Sequence, residues 1–317
     1  MKIIVTGGAG FIGSHLCERL LKDQHQVTCV DNFSTGSRSN LKNCINNKKF
    51  TIIRHNVIKP LPNNLKTDGI FHLASPASPN RHSKLSYLAM PMETMLVNTQ
   101  GTLELLKLAK QNRAKFLFAS SSEVYGDPKE HPQKEDYNGN VSTTGLRSVY
   151  NESKRFAETL TAHFIRKYSL DARIARIFNT YGHRMLRADM RMIITFITQA
   201  LEGKPITIFG DGKQTRSLCY IDDMVEGLIC LMFYPKTKGE IVNLGSTEEY
   251  SIQEYASLVK KLTNSYSKII FSEKLPIGDP KKRRPDISKA KKLLGWEPRV
   301  ILEDGLSKTI EHYKKQL

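Results

Sequence analysis

The sequence predicts an α/β protein of the Rossmann type, a doubly wound parallel sheet with a smaller C-terminal α+β lobe. Three observations predict it. Residues 2–6 (KIIVT) form a β-branched apolar run, residues 7–13 carry glycine at every third position, and residues 11–21 repeat apolar side chains at helical spacing. A second strand-like run, 26–30, ends in Asp31, eighteen residues after Gly13. Beyond it, strand-like and helical stretches alternate as far as residue 180, the pattern of a parallel sheet covered on both faces.

The opening unit has a mechanical logic. Gly7 permits a tight turn, Gly10 lets the backbone approach a pyrophosphate, and Gly13 lets helix and strand pack closely. The diphosphate sits on the helix N-terminus, whose free N–H groups and dipole favour an anion. Asp31 accepts hydrogen bonds from the adenosine ribose hydroxyls and repels a 2′-phosphate, which favours NAD over NADP; Arg38 lies near enough in sequence to blur that preference.

Further strands are expected at 50–54, 69–73, 115–119 and 172–177, with helices at 93–112 and 149–168. Past residue 180 the alternation weakens. Helices are expected at 190–202, 222–233, 252–263, 287–294 and 302–315, and short strands at 206–209, 241–244 and 269–271. The expected division is therefore a dinucleotide-binding domain over 1–180 and a substrate lobe over 181–317, with a soft boundary that the chain can recross.

Bulk composition narrows the function classes. Hydrophobic content of 39% and charged content of 25% describe an ordinary soluble globular chain, and no apolar stretch is long enough to span a bilayer. The first strand begins at residue 2, which leaves no room for a signal peptide. Five scattered cysteines without C-x-x-C spacing point to a reducing, cytoplasmic setting and to neither a disulfide framework nor a metal site. The net charge of +17 is concentrated in the last third, as in Lys281-Lys282-Arg283-Arg284. No aromatic-interleaved basic stripe accompanies it, so a nucleic-acid partner is not expected.

Chemistry is written in two places. Ser120-Ser121-Ser122-Glu123 follows the 115–119 strand, where an open α/β sheet presents its ligand crevice. Tyr150 and Lys154 stand at i and i+4, on one face of a helix. An ammonium beside a phenol favours the phenolate, so Tyr150 can exchange a proton with a sugar hydroxyl while a nicotinamide takes the hydride.

With these residues in place the chain resembles the extended short-chain dehydrogenase/reductases, and within them the UDP-glucuronate decarboxylase group. The resemblance runs nearly end to end, through TGGAGFIGSHL (6–16), VDNFSTG (30–36), HLASPASP (72–79), SEVYGDP (122–128), ARIFNTYG (175–182), GDGKQTRSLCYIDDM (210–224) and PDISKAKKLLGWEP (285–298). Related 4,6-dehydratases carry an Asp where Ser122 stands, and simple 4-epimerases a small apolar residue where Glu123 stands.

The resemblance implies catalysis by Tyr150, Lys154, Ser121 and Glu123 through a 4-keto intermediate, with NAD recycled within each turnover. It also implies an NAD site of Gly7, Gly10, Phe11, Ile12, Gly13, Asp31, Asn32, Asn56, Val57, Leu73 and Ala74, besides Tyr150 and Lys154. The UDP-sugar is expected on Asn179, Arg191, Phe209, Arg216 and Arg283. A homodimer pairing through the helices at 93–112 and 149–168 is implied as well.

Several positions depart from the group. Asn56 replaces an Asp, His183 a Pro and Ser75 a frequent Cys, and the segment 80–89 is longer and more basic. Two other readings stay open at this point: a uronate 4-epimerase of the same fold, and a non-catalytic NAD-binding regulator or scaffold.

Overall fold

The computed structural model describes residues 1–62, 64–276 and 278–316. The first half runs β1 (Lys2–Thr6), α1 (Phe11–Lys22), β2 (Gln26–Asp31), β3 (Phe50–Arg54), β4 (Gly69–His72), α2 (Pro91–Leu96), α3 (Thr102–Asn112), β5 (Lys115–Ser121), α4 (Ser148–Tyr168) and β6 (Ala172–Ile177). The second half runs β7 (Thr180–Tyr181), α5 (Met192–Leu201), β8 (Ile206–Phe209), β9 (Thr215–Ser217), β10 (Cys219–Tyr220) and α6 (Ile221–Phe233). It continues with β11 (Ile241–Leu244), β12 (Glu249–Ser251), α7 (Ile252–Leu262), β13 (Ile269–Glu273), β14 (Lys282–Arg283), α8 (Ser288–Leu294) and α9 (Leu302–Lys314).

Seven parallel strands form the main sheet in the order β3-β2-β1-β4-β5-β6-β11. Strands covered on both faces need apolar side chains at successive positions, and β1, β4 and β5 are buried at nearly every residue. One core lies on the side of α3 and α4, built from Ile70, Leu106, Phe116, Phe118 and Ala157 among others. The other joins α1 and α6 to the second lobe through Leu16, Leu20, Leu228, Ile197 and Val259.

Two of the expected elements take a different form or place, and the short strands β7, β9, β10, β12 and β14 were not expected. The stretch expected as one helix over 93–112 is broken into α2, a wide π turn at Val97–Gly101, and α3. The wide turn aims the buried Asn98 amide at Ser153 Oγ of α4, 3.1 Å away, a hydrogen bond that local periodicity does not encode. The strand at Ile241–Leu244, expected within the second lobe, pairs instead with β6 and forms the far edge of the main sheet. The chain thus recrosses the boundary drawn at residue 180. The rest of the second lobe is built on the parallel pair β8/β13 and on β12-β9-β14, with α5 and α7 packed against β8. Trp296 is buried there, its indole N–H donating to the Asp223 carbonyl at 3.0 Å.

Candidate active site

A cavity of about 460 Å³ lies along the carboxyl ends of the main-sheet strands and is closed on its far side by the second lobe. At one end is the glycine turn. Gly7 has φ +70°, and a Cβ on Gly13 would fall 2.1 Å from the Gly7 carbonyl oxygen, so only glycine lets α1 start this close to β1. The N-cap of α1 is Gly10, without a side-chain cap, so the first N–H groups of the helix face the cavity free. That is the cradle a dinucleotide pyrophosphate requires.

Asp31 closes the same end. Its carboxylate accepts the Ala9 N–H at 2.9 Å and the Phe33 N–H at 2.7 Å, which aligns it and leaves lone pairs for ribose hydroxyls. Burial raises its pKa and these two bonds oppose the rise. Arg38 stacks its guanidinium 5.5 Å from the centre of the Phe33 ring. Phe11, Ile12, Asn32, Asn56, Val57, Leu73 and Ala74 also line this region. The Asn56 side-chain oxygen accepts the Ile58 N–H at 3.2 Å, which leaves its second lone pair and the NH2 group for a base.

The middle of the cavity holds Ser121, Glu123, Tyr150 and Lys154. Ser121 ends β5 and its hydroxyl accepts the Glu123 N–H at 3.2 Å, capping a short turn that carries Glu123. Tyr150 and Lys154 face this turn from the first two turns of α4. Burial pushes the Tyr150 phenol up to about 12, while the Ser121 hydroxyl beside it acts in the opposite direction. Burial also brings the Lys154 ammonium down to about 7, and its Nζ donates to the Ala119 carbonyl at 2.8 Å. Lys154 Nζ, held by the Ala119 carbonyl, stands 5.6 Å from the centre of the Tyr150 ring.

Glu123 is surrounded by cations. Arg147 Nη2 donates to its Oε2 at 2.8 Å, and Arg283 Nη1 stands 3.7 Å from its Oε1. Burial alone would raise this carboxyl, but Arg147 and Arg283 outweigh it and hold it down at about 2. Arg147 also donates to Asp279 Oδ1 at 2.7 Å, and Arg216 donates to Asp279 Oδ2 at 2.6 Å.

Of the residues expected from sequence to hold the sugar nucleotide, Asn179, Arg191, Phe209 and Arg216 line the cavity. Arg191 is gripped by the Asp189 carboxylate at 2.9 and 3.1 Å, and the Gln214 amide donates to the Phe209 carbonyl at 2.8 Å. Arg283 does not line it. Its guanidinium is buried behind Glu123 and donates to the carbonyls of Ser122 and Gly126. A basic run in the sequence carries no sign that one of its arginines turns inward.

Three cavity residues escaped the sequence reading. Arg147 precedes Tyr150 by one helical turn, a spacing that could have marked it. Tyr87, in the segment 80–89, stacks on the Tyr150 ring at 4.8 Å and 14°. Asp279 lies beside the basic run, and no local pattern distinguishes it. His72 is buried between the hydroxyls of Thr6 (2.8 Å) and Thr102 (3.1 Å), with both ring nitrogens engaged. Among the described residues, no group of three or more His, Cys, Asp or Glu side chains is placed to hold a metal ion.

Comparison with known proteins follows this geometry. The model of the NAD dependent epimerase/dehydratase family matches residues 3–245. UDP-glucuronic acid decarboxylase 1 of Danio rerio is 48% identical over 316 residues, covering all of this chain and 73% of that protein. UDP-glucuronic acid decarboxylase 6 of Arabidopsis thaliana is 48% identical over 318 residues, covering all of this chain and 90% of that protein. Among solved structures, UDP-glucuronic acid 4-epimerase from Bacillus cereus, in complex with UDP-glucuronic acid and NAD, superposes over both full chains with a TM-score of 0.89 at 33% identity. UDP-glucose 4-epimerase from Thermotoga maritima, with UDP-glucose, gives 0.89 at 30% identity, covering all of this chain and 99% of that one. With three quarters of its length matched by the family model and relatives of this similarity end to end, the chain belongs to the NAD dependent epimerase/dehydratase family.

Proposed function

We propose that this chain is an NAD-dependent UDP-glucuronate decarboxylase, converting UDP-glucuronate to UDP-xylose through a 4-keto sugar. The observation that carries the reading is the placement of Glu123, an ionised carboxylate held beside Ser121 and Tyr150 in the cavity that begins at the glycine turn. Decarboxylases of two organisms at 48% identity support it. NAD, when bound, accepts the hydride from sugar carbon 4 and later returns it.

The roles of the chain's own residues follow from their surroundings. Tyr150 takes the proton of the 4-hydroxyl, and Ser121 holds that oxygen as a carbonyl forms. Carbon dioxide then leaves from the β-keto acid, whose new carbonyl accepts the electron pair. Glu123, as a carboxylate, is proposed to accept a hydrogen bond from the water that protonates the carbon losing carbon dioxide, the proton coming from solvent. Lys154 is proposed to bind the nicotinamide ribose, and Gly7, Gly10, Gly13 and Asp31 the rest of the dinucleotide. Arg191, Arg216 and Asn179 are proposed to grip the UDP-sugar, Phe209 to lie against uracil, and Arg283 to act through Glu123.

The two-lobe division is proposed with β11 returned to the first lobe. A homodimer is proposed through the helices expected at 93–112 and 149–168, which are α2, α3 and α4, where Met92, Leu96 and Phe156 are exposed. A cytoplasmic setting is supported by five buried cysteines, all free. No helix among the described residues is long and apolar enough to cross a membrane.

The test is incubation with UDP-glucuronate and NAD, following carbon dioxide and nucleotide-sugar mass. UDP-pentose that forms with wild type and vanishes with Tyr150→Phe supports the reading. An isomeric uronate without carbon dioxide assigns the chain to the epimerases instead.

A further inference from the structure

We infer that Arg147 is a positioning residue, one that holds Glu123 aligned for the reaction and makes that alignment depend on Asp279 in the second lobe. The inference rests on the decarboxylase reading for the part Glu123 plays. Arg147 immediately precedes α4, is 9% exposed, and spans two carboxylates with one planar fork, Nη2 on Glu123 at 2.8 Å and Nη1 on Asp279 at 2.7 Å. Its Nε is buried without a partner among the described residues, so both of its engaged nitrogens serve carboxylates. A buried cation with no contact to solvent is costly unless such partners compensate it.

The charges around Glu123 come from every element packed on it. Arg147 approaches from the start of α4, Arg283 from β14 and Arg216 from β9, with the phenols of Tyr150 and Tyr87 on the open side. Arg283 is 3.7 Å away and committed to two backbone carbonyls, and Arg216 is committed to Asp279. Among the described residues, only Arg147 makes a short hydrogen bond to the Glu123 carboxylate. The carboxylates of Glu123 and Asp279 share three arginines, leaving one positive charge in excess, which suits an anionic sugar. Asp279 in turn holds Arg216, the arginine proposed for the sugar nucleotide, so one carboxylate joins nucleotide recognition to the reacting centre.

Removing Arg147 leaves burial, which favours a protonated Glu123, opposed mainly by the more distant Arg283. Kinetics of Arg147→Met, Arg147→Lys and Asp279→Asn with UDP-glucuronate test this, together with infrared difference spectra against Glu123→Gln that read the protonation of Glu123 directly. For Arg147→Met we expect kcat to fall about tenfold or more at neutral pH. We also expect an acidic limb between about pH 5 and 8 that wild type lacks. A protonated-carboxyl band is expected to appear over the same range, with Arg147→Lys restoring part of the loss. Asp279→Asn, which keeps volume but removes a like charge near Glu123, should lower kcat by less and bring no acidic limb. Uniform loss of activity at every pH, or a carboxylate band that persists in Arg147→Met, overturns the inference. If wild type releases no carbon dioxide, the decarboxylase reading falls, and the infrared comparison still decides whether Arg147 holds Glu123.

Discussion

Two neighbouring imidazoles, His15 buried and His183 half-buried, illustrate what a single residue contributes. His15 on α1 packs edge-on against His183 at 4.3 Å and contacts the His183 carbonyl oxygen through Nε2 at 3.1 Å. Burial, with Arg184 nearby, brings His15 down to about 3 and His183 to about 4. Both are neutral in the fold but take up protons in the unfolded chain once pH drops below about 6.5. Their contribution to stability is therefore complete above that pH and is lost as pH falls toward their folded values. For His15, 8% exposed, the loss by pH 4 is on the order of 3 kcal/mol. His15→Gln, which keeps a donor for the His183 carbonyl, should flatten thermal stability between pH 6.5 and 4; an unchanged slope would refute this. At this scale Tyr150 and Lys154 were legible, because i,i+4 spacing states which face they share. Their charge was not, because the Ala119 carbonyl that binds Lys154 comes from a distant strand.

The helix α4 shows how one element serves two purposes. Its inner face carries Tyr150, Lys154 and the buried Ala157 and Phe164, while Phe156 points outward and is 51% exposed. Beside it α2 exposes Met92 and Leu96. If these form the dimer contact, Phe156→Glu should give a monomer by light scattering, with thermal stability of the isolated subunit changed by no more than about 0.5 kcal/mol. A dimer that survives the charge at micromolar protein would place the contact elsewhere. The strand-turn-helix unit at the N-terminus and the helix α4 were readable to within one residue, since both are long or strongly patterned. The π turn at Val97–Gly101 was not, because its cause is a cross-helix bond from Asn98.

Across the whole molecule, the segment 78–90 acts as a strap between the lobes. Ser78, Asn80 and Ser83 side chains donate to the carbonyls of Asp189, Met190 and Ala188, and Arg81 pairs with Glu273 of β13. His82 lies against Phe209, the residue proposed for uracil. Since Arg81 is 50% exposed and such pairs are individually weak, Glu273→Gln should speed UDP release only about two- to fivefold in stopped flow; no change would mean the strap does not gate the site. The sequence by itself determined the parallel sheet and the glycine turn, and set Ser121 and Glu123 at a strand end and Tyr150 and Lys154 on one helix face, because each depends on local spacing along one strand or helix. Tertiary structure alone decided that β11 completes the main sheet, that Arg283 lies behind Glu123, and that Arg147 and Asp279 bind the two lobes at the reacting centre. The physical reason is that a buried charge is tolerated only where opposite charges meet it, and those partners arrive from distant parts of the chain, as Asp279 does for Arg147 across 132 positions.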